Sequence, residues 1–167
     1  MRKYFSFGLS LIACAYFWYC ATTPDSWHFI DNVNLIFHEA GHTIFSFFGE
    51  FIHVLAGSAF QIALPLFISL FFFYTKQKTS GALTLLWVGQ NFINVSVYAG
   101  DALSMQLPLL GGDGSLHDWN YLLNSMDWIF YTQRVAHGLS TLGFIIIFIA
   151  SVLSLYYSWT IEEKKDF

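Results

Sequence analysis

The alternation of apolar and polar positions divides the chain into five apolar stretches, at about residues 4–20, 29–54, 59–76, 83–101 and 135–159. Each approaches the roughly 20 residues that a helix needs to cross the hydrocarbon core of a bilayer. A backbone in that setting must satisfy its own hydrogen bonds, so the pattern predicts helices and excludes open sheets. A break at Ala56-Gly57-Ser58 separates the second stretch from the third, and Ser58-x-x-Gln61 reads as a capping box opening the third. The only substantial loop covers 103–134. It holds Gly111-Gly112-Asp113-Gly114, then a second helix start at Ser115-x-x-Asp118, then a short helix over 118–130. Trp119, Tyr121 and Trp128 suit that helix to a membrane interface.

Two of the stretches carry polar stripes. Asp31, Asn34, His38, His42 and Ser46 recur at three- and four-residue steps along the second, and Gln90, Asn94, Tyr98 and Asp101 do so along the fourth. Polar stripes in a small apolar bundle are expected to face each other rather than lipid. Composition agrees with a membrane setting. The chain is 56% hydrophobic and only 11% charged, against about 25% charged in soluble domains. The seven Lys and Arg are scattered, which excludes a nucleic-acid surface. Cys14 and Cys20 read as buried thiols rather than a disulfide or metal pair. The residues after Cys14 stay apolar, so the first stretch is expected to be an uncleaved anchor. Lys76, Lys78, Lys164 and Lys165 are expected on the cytoplasmic side and the 103–134 loop on the other, with the 29–54 segment either crossing or re-entrant. The expected protein is a single all-α membrane domain over 1–167. It has four or five spanning helices around a zinc site and is multi-pass in a cell or inner membrane.

The chemistry is concentrated in His38-Glu39-Ala40-Gly41-His42. Histidines four apart project from one helix face and can grip one zinc ion. Glu39, beside them, is placed to be the general base that takes a proton from a metal-activated water. Gly41 would let another backbone approach closely. A hydrolytic zinc site needs a third protein ligand. The candidates are Asp101, at the end of the second polar stripe, and His117, beyond the glycine-rich loop, with His137 a weaker third. Asp101 is preferred because a rigid helix holds a ligand better than a loop does. If His117 is the ligand, Asp118 becomes its outer partner.

The His38-Glu39-Ala40-Gly41-His42 motif in an apolar helix resembles the site-2 protease family of intramembrane zinc metalloproteases. The resemblance covers about 34–45 and, more loosely, 94–102. It implies His38 and His42 as zinc ligands, Glu39 as the catalytic base, Asp101 as the ligand from a later helix, and a membrane-anchored protein or peptide as substrate. Where the family shows an asparagine, a proline and then Leu-Asp-Gly, this chain has Val97-Tyr98-Ala99-Gly100-Asp101-Ala102. Asn94 is taken as a substrate-binding residue, and a partner protein is a possible source of substrate selection. The rival functions are a zinc hydrolase acting on a lipid or lipid-linked amide, and a non-catalytic metal-binding membrane subunit or transporter.

Overall fold

The computed structural model describes residues 2–110 and 116–160. The Gly111-Gly112-Asp113-Gly114 run, Ser115 of the expected helix start, and Lys164 and Lys165 lie outside the described residues. Regular structure among the described residues is entirely helical: α1 (Arg2–Thr22), α2 (Phe29–Phe45), α3 (Glu50–Tyr74), α4 (Lys78–Gly100), α5 (Asp118–Ser125) and α6 (Thr132–Trp159). Three stretches are long and apolar enough to cross a membrane: Lys3–Thr22, Glu50–Tyr74 and Ile129–Trp159. By that measure the count is three rather than four or five. α2 is short, at 17 residues, and carries Asp31, His38, Glu39 and His42. α4 has the length, at 23 residues, but holds Gln90, Asn91 and Asn94 near its middle.

One helix boundary departs from the apolar pattern. The 29–54 stretch is two helices: α2 ends at Phe45, a 3₁₀ turn follows over Ser46–Phe48, and α3 begins at Glu50. Gly49 makes the reversal with φ of 90°, a backbone conformation that favours glycine. Phe47, Phe48, Phe51 and Ile52 run apolar straight through this turn and are exposed on the outside of the bundle. Apolar continuity therefore concealed the break. Ala56-Gly57-Ser58 consequently lies inside α3 rather than in a linker. Ser58 does not cap a helix; its Oγ accepts a hydrogen bond from Trp119 Nε1 at 3.1 Å.

Close helix crossings rest on glycine. A Cβ at Gly41 would collide with the carbonyl oxygen of Ala56 and lie 2.9 Å from Phe60 Cβ, so α2 and α3 run backbone against backbone there. Gly89 and Gly143 do the same for α4 and α6, each lying within 2.9 Å of the other's carbonyl oxygen if given a Cβ. Around that crossing Leu86, Ile93, Ile147 and Ala150 form the core, with Cys14 and Ala21 of α1 packed against them. Both cysteines are free and buried, as their apolar surroundings implied. Because a backbone carbonyl cannot step aside, Gly41→Ala is expected to destabilise the fold by about 1–3 kcal/mol through overpacking. Gly138→Ala, where nothing lies within 4 Å, is the control and should be neutral or mildly stabilising. Reversible unfolding in detergent measures both.

α2 packs directly on α3 and barely touches α4 through its backbone. Side chains of the two polar stripes fill the space between α2 and α4. Asp31 Oδ1 accepts from Gln90 Nε2 at 2.8 Å and from Asn94 Nδ2 at 3.0 Å. Asn34 Nδ2 donates to Gln90 Oε1 at 2.8 Å, and Trp87 Nε1 donates to Asn34 Oδ1 at 2.8 Å. The stripes therefore meet as expected, and the amides of α4 serve to hold α2.

Candidate metal centre

One turn of α2 separates His38 from His42, which places both imidazoles on the face turned toward α3 and α5. His38 Nε2 lies 2.8 Å from Asp118 Oδ2, and His42 Nε2 lies 3.1 Å from the same oxygen. One ligand atom from each of the three residues falls within 4.8 Å of the others. His38 and Asp118 are buried, at 7% and 6% exposure.

The hydrogen bonds behind the rings show what this group is built to hold. His42 Nδ1 lies 2.8 Å from the carbonyl oxygen of His53, which only accepts, so Nδ1 carries the proton and donates. His38 Nδ1 likewise donates to Gln61 Oε1 at 3.1 Å. In both neutral rings Nε2 is then left with a lone pair, aimed at a carboxylate oxygen. Three acceptors facing one point repel one another unless a metal cation, or a proton on one Nε2, lies among them. Two imidazoles and a carboxylate are the donor set of a catalytic zinc site, which keeps its fourth position for water. Zinc bonds of about 2.0–2.1 Å at tetrahedral angles place ligand atoms about 3.3 Å apart, close to the two separations from Asp118, 2.8 and 3.1 Å. The opposite wall is equally specific. A Cβ at Gly57 would sit 2.5 Å from His42 Nε2 and 2.7 Å from His38 Nε2, so only glycine leaves this space open. The residues present therefore fit a metal ion.

Asp118 is the first residue of α5, and α5 is firmly seated. The Asp118 backbone N–H donates to Tyr98 Oη at 3.1 Å. Trp119 is tied to Ser58 of α3, and Asn120 Nδ2 donates to the Ala102 carbonyl at 2.8 Å. Leu122 and Leu123 are fully buried beneath the helix. Burial pushes the Asp118 carboxyl up, and hydrogen bonding from the imidazoles of His38 and His42, which requires a proton on Nε2, outweighs this and holds it below the usual carboxylate range. A proton or a metal cation can therefore fill the point the three groups share.

Asp101 and His117, the expected third ligands, are not in the group that the structure brings together with His38 and His42. They face each other instead, His117 Nε2 donating to Asp101 Oδ2 at 3.3 Å, while His117 Nδ1 accepts from the Asn120 N–H as the N-cap of α5. Asp101 also accepts from Ser104 Oγ at 2.6 Å and from the N–H groups of Gln106 and Leu107, both at 2.9 Å. Burial pushes the Asp101 carboxyl up, and these donors together hold it lower than usual. The polar end of the α4 stripe serves to clasp the two ends of the 103–117 segment, and the clasp sets Asp118 in place. His137 is exposed on α6.

Glu39 is exposed to a cavity of about 350 Å³ that it shares with His38, His42, His53 and Asp118. Glu39 and His38 also border a larger cleft of about 570 Å³, lined by Trp27, Leu35, Val97, Leu107 and Leu109 among others. Asn94 reaches this cleft, but both ends of its amide are engaged: Nδ2 with Asp31, and Oδ1 with Gln61 Nε2 at 2.7 Å. From the edge of the cleft its amide bonds to Asp31 and Gln61. Two contributors to the site gave no separate signal in the sequence. Gln61 looked like a cap residue. His53 lies beyond the turn that ends α2, yet its Nδ1 donates to the His42 carbonyl at 2.9 Å while its own carbonyl accepts from His42, a reciprocal pair joining α2 to α3. Comparison of the chain with protein-family models, with curated proteins and with solved structures finds no match.

Proposed function

We propose that the chain is a zinc-dependent membrane hydrolase of the site-2 protease type, cleaving a peptide bond in a membrane-associated substrate. The observation that carries this reading is the convergence of His38, His42 and Asp118 on one point, with Glu39 exposed to the same cavity. A zinc ion there would lower the pKa of a bound water toward about 7 and polarise a carbonyl. Glu39 takes the proton of the attacking water and delivers it to the leaving amine, the double duty expected of a base beside the reacting atoms. His38, His42 and Asp118 keep their ligating atoms fixed through their partners behind. The apolar wall of the larger cleft, with Leu35, Val97, Leu107 and Leu109, receives substrate side chains and excludes water from the bond being cut.

In this reading α2 and α4 lie within the membrane alongside the three apolar helices. They are tolerated there because Asp31, Asn34, Gln90 and Asn94 satisfy one another in the interior. The same apolar lining would accept an acyl chain, so a lipid or lipid-linked amide is the second substrate class.

The test is Glu39→Gln. About one zinc per chain should bind to both proteins, since Glu39 is not a ligand. Hydrolysis should fall by about 10²–10⁴-fold in the variant, the usual worth of a positioned base. The probes are a single-span fluorogenic peptide and a fluorogenic acyl amide, each in lipid vesicles with the purified protein. Undiminished turnover in Glu39→Gln, or no cleavage of either probe by the zinc-loaded protein, sinks the hydrolase reading in favour of a non-catalytic metal subunit.

A further inference from the structure

Amide side chains are ambiguous carriers of direction. An Asn or Gln linking two groups can present its oxygen to either, and only a partner that must donate or must accept fixes the choice. His38 can place its proton on Nδ1 or on Nε2, and only the first leaves Nε2 free for a metal. Its immediate neighbour, Gln61, cannot decide this alone, because a rotated amide would present NH₂ to Nδ1 and push the proton onto Nε2.

On the other side Asp118 Oδ2, 2.8 Å from Nε2, favours a proton there until a metal takes its place, so what holds the proton on Nδ1 against it is decided two residues further away, behind Gln61. Gln61 Nε2 donates to Asn94 Oδ1, and Asn94 Nδ2 donates to Asp31 Oδ1. Asp31 is a buried carboxylate, and its Oδ1 accepts from Gln90 and Asn94 and, at 3.4 Å, from Asn34 Nδ2. Its Oδ2 accepts from the His28 N–H at 2.8 Å. A carboxylate surrounded by donors can only accept, so Asn94 must turn its NH₂ toward it. Gln61 must then turn its NH₂ toward Asn94, and His38 is left facing an oxygen. A second branch has the same polarity: Trp87 Nε1, which only donates, leads through Asn34 and Gln90 to the same Asp31 oxygen.

We infer that Asp31, acting through Asn94 and Gln61, is the positioning residue that sets the tautomer of His38 and so makes its Nε2 a metal ligand. This rests on the metal reading of the His38, His42 and Asp118 group, although its effect on the metal-free ring can be measured by itself. Asp31 borders the larger cleft but is not in the metal-ligating group. Its carboxylate works by imposing one direction on a chain of otherwise reversible amides, as outer partners of metal-bound histidines do at shorter range.

The test uses zinc affinity of the full chain in detergent, together with nitrogen-15 NMR of the histidine rings in metal-free protein. Asp31→Asn can rotate its amide to present NH₂, so the direction of the relay is lost. Asn94→Ala cuts the relay while leaving Asp31 its bonds to Gln90 and His28. Both variants should bind zinc about 10–100-fold more weakly, and His38 should shift toward the Nε2-protonated form. Gln61→Glu, added to either, puts an acceptor-only group directly against Nδ1. It should restore the Nδ1-protonated form and bring affinity back to within about threefold of the original. A general loosening of the fold would not be repaired this way. Native affinity and tautomer in Asn94→Ala, or a loss that Gln61→Glu fails to restore, overturn the proposal. If Asp31→Asn does not fold, the Asn94→Ala pair decides alone. A wild-type chain that binds no zinc would remove the metal reading, while the NMR comparison would still report on the relay.

Discussion

Asp118→Asn is expected to leave a folded protein that no longer holds zinc. The change keeps the shape of the side chain and the Tyr98 contact to its backbone but replaces an anionic oxygen with an NH₂ group. His38 Nε2 and His42 Nε2 lie within 3.1 Å of that position as lone-pair acceptors. An asparagine amide has two hydrogens and can donate one to each, so the variant can satisfy with its own hydrogens a group that the wild type satisfies with a metal ion or a proton on Nε2. The metal-free variant should unfold at or above the temperature of the metal-free wild type. Its zinc affinity should fall by more than the roughly 10–100-fold that loss of an outer partner costs, because a ligand is gone and the remaining two are capped. Asp101→Asn is the contrast. It weakens the clasp on the 103–117 segment yet leaves all three ligands, so zinc still binds at about one per chain, within roughly tenfold of the original affinity. Metal analysis and competition with a chromophoric chelator decide. Native affinity in Asp118→Asn with loss in Asp101→Asn would return the ligand role to Asp101.

Those two aspartates show where sequence reasoning reaches its limit. The apolar stretches, the two facing polar stripes and the His38/His42 pair were legible because each follows from helical period: residues three and four apart share a face. Asp118 follows from no period. Eighty positions separate it from His38, and a carboxylate in the first turn of a helix reads by default as a cap or a complement to the helix dipole. Asp118 stands on α5, a seated helix that the sequence shows only as an interfacial helix inside a loop. Seating of α5 depends on Ser58, Tyr98 and Ala102, which only the tertiary structure brings together. Asp101 was credited with an inward role because its stripe points inward. The stripe does point inward as far as Tyr98, whose Oη accepts from the Asp118 N–H, and beyond it Asp101 is committed to the backbone of the segment that follows.

The turn between α2 and α3 was hidden by the opposite effect, an excess of apolar residues. Exposed phenylalanines on both sides of Gly49 and Glu50 carry the apolar pattern past them. The glycine that drew attention as a linker, Gly57, proves to have another use, and it supports the second large prediction. A methyl group there would stand 2.5 Å from His42 Nε2, 2.6 Å from His42 Cε1 and 2.7 Å from His38 Nε2. These are the far ends of side chains, so without metal the rings can swing aside at the cost of their bonds to Gln61 and to the His53 carbonyl, each worth about 0.5–1.5 kcal/mol. Alanine in place of a mid-helix glycine returns up to about 1 kcal/mol. Gly57→Ala should therefore fold with a stability within about 2 kcal/mol of the original. With metal the same rings cannot move, because a zinc–nitrogen bond of about 2.0–2.1 Å fixes each Nε2 where the methyl group needs to be. Zinc affinity should accordingly fall by at least the 10–100-fold typical of a disturbed ligand, while Gly138→Ala leaves it unchanged. The two quantities separate the meanings of the glycine. A Gly57→Ala protein that is strongly destabilised yet binds zinc normally would make Gly57 a helix-packing residue like Gly41. A folded protein with ruined metal binding would mark it as the wall of the metal site.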